Sequence, residues 1–207
     1  MDTVLKADPT CMSDAVGMDW ERVFERKAPL RVEIGSGKGD FIITLADREP
    51  GINFIGIEKN LSILYIAARK NLDKPARNLR FLPIDAGFIS AYFASKSVDR
   101  FYLNFSDPWP KNSHASRRLT AGHRLREYSD LLAPGGRICF KTDQEGFFEF
   151  SLKAFITEGW SVEKISHDLL ASGIRDNIMT EYEKRFAGMG LPIYYFEAIN
   201  KEESVSS

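Results

Sequence analysis

Four acids stand at the ends of short apolar runs: Glu33 in RVEIGSGKGD, Glu58 in FIGIEKN, Asp85 in LPIDAGF and Asp107 in YLNFSDPWPK. Behind the first come glycines at 35, 37 and 39. Glycine lets a backbone turn tightly and lets a ligand approach with no Cβ in the way. The G-x-G-x-G spacing behind an acid differs from the G-x-G-x-x-G of dinucleotide sites, which argues against a nicotinamide dehydrogenase. An acid beside a glycine loop suits a ligand with hydroxyls and positive charge, and S-adenosylmethionine carries an ammonium, a sulfonium and a ribose diol. Glu58, roughly two dozen residues on, can accept two hydrogen bonds from vicinal ribose hydroxyls; it can equally cap the next helix. Asp85 can reach the exocyclic amine of a purine or serve as an N-cap. One such acid is ordinary. Four in succession, with a glycine loop after the first, describe a nucleoside site.

Asp107 opens a loop with unusual stiffness. Pro108 and Pro110 fix φ, and an acid before proline is pushed to an extended conformation, so the loop is ordered before any ligand arrives. Trp109 between them can offer a flat face to a base or act as a wedge in the core. From Lys111 to Arg126 stand five Lys or Arg and two His with no acid among them. In a chain of net charge −1 this is a local positive field, suited to phosphates or to a solvated helix face. Asp143 in KTD ends another apolar run and can cap the helix after it. Thr180 and Glu183 have the spacing of a capping box.

These residues need elements to hold them, and the chain supplies an alternating pattern. RVEIG, INFIGIE, LRFLPID, VDRFYLNF, RICFKTD, WSVEKIS and PIYYFEAIN read as strands. DFIITLADRE, SILYIAARKNL, RRLTAGHRLREYSDLLA and GFFEFSLKAFITEG carry apolar residues at helical spacing, the third ended by Pro134-Gly135-Gly136. Strands separated by helices mean a mostly parallel sheet with helices on both faces, and ligands then bind beyond the carboxyl ends of the strands. The 207 residues fit a single domain, with 1–28 as an extension that packs loosely or closes over a site and 200–207 as a frayed tail. With 43% apolar residues, no 18-residue apolar run and no basic–apolar leader, the expectation is a soluble cytoplasmic protein. Two cysteines cannot build a disulfide framework, and three scattered histidines show no metal-ligand spacing, so no metal is expected.

Taken in chain order, EIGSGKGDF, NFIGIEKN, YLNFSDPWPK, RRLT, KTD and TEYEKRFAGMGLPIY resemble the bacterial tRNA (guanine-N7)-methyltransferase family, from about Trp20 to Glu197. DPWPK and TEYEKRF are the specific parts; the glycine loop is shared with most methyltransferases. The resemblance implies an α/β, Rossmann-like, seven-stranded class I S-adenosylmethionine-dependent methyltransferase fold. It implies methyl transfer to N7 of the variable-loop guanosine of tRNA, leaving S-adenosylhomocysteine. Cofactor contacts fall at Glu33, Glu58, Asp85 and Asp107, with Gly35, Gly37 and Gly39 from the loop and Asp107 catalytic. Substrate contacts fall at Lys111, Asp143, Thr180, Glu181, Tyr182 and Glu183, and RNA contacts at Arg117, Arg118 and Arg185. Directly after DPWPK, Asn112, Ser113, Ala115 and Ser116 replace part of the charge common in the family.

The chemistry agrees from below. Guanine N7 carries a lone pair and no proton, so attack needs no base and catalysis is mostly positioning and electrostatics. Asp107 then aims the purine and neutralises the charge it gains. On this reading tRNA is the partner, and no protein partner is required. Two other classes stay open: a methyltransferase acting on a protein or small amine, and a non-catalytic binding subunit. The latter would usually have lost glycine-loop residues or the loop acid.

Overall fold

The structure, a computed structural model, describes residues 17–73, 75–174 and 177–200, the side chains of Asn112 and Glu181 excepted. Seven strands form one sheet: β1 Leu30–Ile34, β2 Asn53–Ile57, β3 Leu79–Leu82, β4 Val98–Asn104, β5 Leu132–Thr142, β6 Ser161–Ser166 and β7 Tyr194–Ile199. The helices are α1 Trp20–Phe24, α2 Asp40–Arg48, α3 Leu61–Asp73, α4 Gly122–Leu131, α5 Glu145–Thr157 and α6 Glu181–Ala187. Strand order is β3-β2-β1-β4-β5-β7-β6, parallel from β3 through β5, with β7 antiparallel to both its neighbours. The expected mostly parallel sheet is what the chain forms.

Every residue of β2 is buried, as a strand covered on both faces requires. Alternation along β4 sends Phe101 and Leu103 into one core and Tyr102 into the other. The first core joins Val32, Ile34 and Phe140 to Leu125 and Tyr128 of α4 and Phe148 and Phe155 of α5. The second joins Phe54 and Phe81 to Phe41 and Leu45 of α2 and Leu64 and Ala67 of α3. Strand order reverses between β1 and β4, which puts a crevice at their carboxyl ends.

Several boundaries differ from expectation, each for a physical reason. β3 stops at Leu82 because Pro83 has no N–H for the ladder, and the Ile84 N–H turns back to Leu82 O at 3.0 Å. The helix expected over 117–133 begins only at Gly122; residues 112–117 form a 3-10 turn instead. Pro134-Gly135-Gly136 does not end that helix but bulges within β5, where Val98 pairs with Leu132 and Arg100 already with Arg137. The N-terminal extension does not pack loosely where it is described. Trp20 and Phe24 are buried in the first core, and Trp20 Nε1 donates to Tyr92 O at 3.1 Å. Residues 1–16 of that extension and 201–207 of the tail lie outside the described residues. Among the described residues no helix is long and apolar enough to cross a membrane.

Candidate active site

The glycine loop joins β1 to α2 and is tied to the end of β2. Gly35 and Ser36 N–H both donate to Ile57 O at 2.8 Å, and Gly37 N–H donates to Glu58 Oε2 at 3.2 Å. Gly35, Gly37 and Gly39 have φ of 79°, 54° and 79°, a region L side chains rarely adopt. A Cβ on Gly35 or Gly37 would meet nothing within 4 Å, whereas one on Gly39 would come 2.9 Å from Ala67 Cβ. The first two leave room for a ligand. The third serves the packing of α2 against α3.

Sheet order sets the acids along one edge as Asp85, Glu58, Glu33, Asp107 and Asp143. Two cavities open there. One, about 570 Å³, is lined by Glu58, Asp85 and Asp107 with Trp109 and Arg117. The other, about 400 Å³, is lined by Glu33, the glycine loop, Thr180, Tyr182 and Arg185. They share Gly35, Asn104 and Phe105. Glu58 and Asp85 also cap backbone: Glu58 Oε1 accepts from Asn60 N and Asp85 Oδ1 from Gly87 N, each at 2.8 Å. Asp85 further lies 3.6 Å from Lys59 Nζ.

Glu33 is 2% exposed and only half satisfied. Its Oε1 accepts from Asn104 Nδ2 at 2.9 Å, while Oε2 has no partner among the described residues. Burial pushes its carboxyl up to about 8, against the opposing pull of the Asn104 bond and the Lys141 charge. Ser36 Oγ, Asn104 Oδ1 and Ser106 Oγ are likewise buried without partners. Native folds rarely leave such atoms orphaned, and here they gather around the two cavities. A ligand bearing a positive charge and hydrogen-bonding groups would complete them. S-adenosylmethionine fits that donor set, with hydroxyls for Glu58 and an amine for Asp85.

Asp107 lies exposed at the first cavity, with no hydrogen bond or ion pair among the described residues. The loop around it is held in a strained shape, Phe105 and Trp109 having φ of 51° and 41°. Arg118 holds it from beneath: Nε donates to Pro108 O at 2.7 Å and Nη2 to Trp109 O at 3.0 Å, above the Phe150 ring at 4.0 Å. Arg118 is 8% exposed, so it corrects the expectation of a phosphate contact. Arg117 is exposed over the Trp109 ring, 5.1 Å from its centroid, and Trp109 is half-buried at the cavity rather than a core wedge.

The capping box at Thr180 is real. Thr180 Oγ1 accepts from Glu183 N at 3.0 Å, and Glu183 Oε2 accepts from Thr180 N at 3.2 Å. Glu183 is fully buried, so the expected match to a guanine edge is corrected there: its oxygens serve the fold. Tyr182 and Arg185 are exposed, and Tyr182 stacks on Phe105 with centroids 5.9 Å apart. Lys111 and Asp143 line neither cavity, and Asp143 accepts from the Gln144 side chain at 2.8 Å without capping α5. The side chain of Glu181 lies outside the described residues. Sequence reasoning passed over Asn104, Phe105 and Lys141. A polar amide and a lysine at the ends of two apolar runs were the available signal for the first and last.

The chain matches a family model described as "Putative methyltransferase" over residues 27–196. Curated proteins named tRNA (guanine-N(7)-)-methyltransferase from Bacillus subtilis (strain 168) and Enterococcus faecalis (strain ATCC 700802 / V583) are 46% and 47% identical to it. Each alignment covers 86% of this chain and 84% of the relative. Among solved structures, the 16S rRNA methyltransferase KamB has a TM-score of 0.65 at 14% identity, covering 96% of this chain and 99% of that one. The 16S rRNA (adenine(1408)-N(1))-methyltransferase of Catenulisporales acidiphilia has 0.63 at 14%, covering 94% and 96%. At that identity they speak for the fold alone, which is the class I S-adenosylmethionine-dependent methyltransferase fold. Identity of this order along most of both chains means that the chain belongs to the tRNA (guanine-N(7)-)-methyltransferase family.

Proposed function

We propose that this protein transfers a methyl group from S-adenosylmethionine to N7 of the variable-loop guanosine of tRNA. The observation that carries the reading is the set of acids around two joined cavities, with Asp107 at one of them free of partners among the described residues. The cofactor, when bound, supplies an electrophilic methyl group on a positively charged sulfur. Glu33 and the glycine loop would hold its amino-acid end, Glu58 its ribose and Asp85 its purine amine. Asp107, fixed in a loop that Arg118 braces, accepts from the N–H groups of the guanine and so aims N7. Because N7 has no proton to lose, Asp107 acts as a negative charge and not as a base; it stabilises the cationic purine as that forms. Arg117 and Arg185 meet phosphates and give affinity rather than sequence choice. In this reading residues 1–207 act as one methyltransferase domain in the cytoplasm, with tRNA as partner and no metal.

The test uses unmodified tRNA transcript, labelled S-adenosylmethionine and nucleoside analysis of the digested RNA. Label in 7-methylguanosine is expected, and its loss when adenine replaces the variable-loop guanine. Label on another base, or on protein with none on RNA, would overturn the substrate.

A further inference from the structure

Lys141, next to last in β5, is a lysine buried at 5% exposure with all three of its donors used. Its Nζ donates to Asn177 Oδ1, to Ile178 O at 3.1 Å and to Glu183 Oε2 at 3.1 Å. All three acceptors belong to one short segment, 177–183. Glu183 is closed in turn. Its Oε1 accepts from Asn177 Nδ2, and its Oε2 takes Thr180 N–H together with the ammonium. No oxygen of Glu183 is left facing solvent, since the residue is 0% exposed. What that segment presents outward is α6, whose Tyr182 and Arg185 form a wall of the second cavity. Lys141 touches the site at a second point, its carbonyl accepting from Phe105 N at 2.9 Å.

We propose that Lys141 is a positioning residue: its ammonium pins the 177–183 segment to the sheet and thereby sets Tyr182 and Arg185 at the cavity, with Glu183 as the anchor and not a ligand of the purine. Its effect on catalysis rests on the tRNA methyl-transfer reading; the anchor itself does not. Removing the ammonium leaves the Glu183 carboxylate buried and uncompensated, so the segment detaches while the sheet stays folded.

Two readouts test this on the full chain. Hydrogen exchange in the RNA-free protein is expected to speed about tenfold or more over 181–187 in Lys141→Met, with β1 and β4 unchanged. In the transfer assay, Lys141→Met and Glu183→Gln should each raise KM for tRNA about tenfold or more, with a smaller change in kcat. The double variant should be no worse than either single one, and Lys141→Arg should recover most of the loss. Three results would overturn the proposal: exchange that speeds equally along the chain, single effects that multiply in the double variant, or Glu183→Gln failing where Lys141→Met does not. A wild-type protein that never labels tRNA would sink the function reading, and the exchange comparison would still decide the anchor.

Discussion

Glu33 and Glu197 lie on one row of partners across the sheet, Glu33–Tyr102–Cys139–Glu197, and are 2% and 5% exposed. Burial raises both carboxyls, yet they end far apart. Glu197 Oε1 accepts from Tyr195 OH at 2.6 Å and Lys164 Nζ at 2.9 Å, and Oε2 from Arg137 Nη1 at 2.9 Å. Those donors outweigh desolvation and bring it down to about 2. Glu33 has one neutral donor and an orphan oxygen, and stays near 8. Similar exposure therefore says little about role; Glu197 is the less desolvated of the two and has three donors where Glu33 has one, and together these set them apart. Glu197 is finished by the fold. Glu33 is left half-finished, as a group that waits for a ligand would be.

The hardest blow to that contrast falls on Asp107, a site acid with no hydrogen bond or ion pair among the described residues. Asp107→Ala should cut turnover by roughly 10²–10³ with RNA binding nearly intact, as for the loss of one preorganised charge-stabilising group. Single-turnover rates and filter binding read the two separately, and equal loss in both would make Asp107 structural.

Glu197→Ala should do the reverse. Losing charge-assisted bonds costs about 2 kcal/mol, which lowers Tm by roughly 4–8 °C in a chain of this size, while methyl transfer at 25 °C is unchanged. In the wild type that stability is fully present above about pH 4.5 and is lost as pH falls toward 2, because the folded-state value lies below the ordinary one. An unchanged melting curve would erase the distinction.

Glu33 has the opposite sign. A value raised to about 8 means the folded protein holds the proton more tightly, so stability of the ligand-free protein falls as pH rises from about 4.5 to 8. Glu33→Gln should flatten that slope in thermal melts. It should also weaken cofactor binding about tenfold and remove its rise with pH. Smallest is the RNA surface: Arg117→Ala should lower the salt slope of tRNA binding by roughly one. Arg118→Ala should leave the slope alone and loosen the DPWPK loop. A reduced slope for Arg118→Ala would contradict its place beneath the loop.

Much of the site was legible because the alternating pattern fixes where strands end, and the acids and glycines stand there. Glu33, Glu58, Asp85 and Asp107 need only that order to converge. Arg118 and Glu183 were not legible for the converse reason. Nothing local separates Arg118 from Arg117; it is buried because Phe150 of α5 comes beneath it. Glu183 reads as a capping residue and is one, but its burial depends on Lys141, 42 residues earlier in the chain. The boundary of β3 was decided by Pro83, which a periodicity of apolar residues does not register.

The claim that Glu33 stands protonated until a cationic ligand completes it can be measured directly. S-adenosylmethionine would be titrated into the protein by calorimetry at pH 6.5, in two buffers of different ionisation enthalpy, beside Glu33→Gln. Release of close to one proton by the wild type and none by the variant is the expected result. No release by the wild type, or equal release by both, would contradict the account.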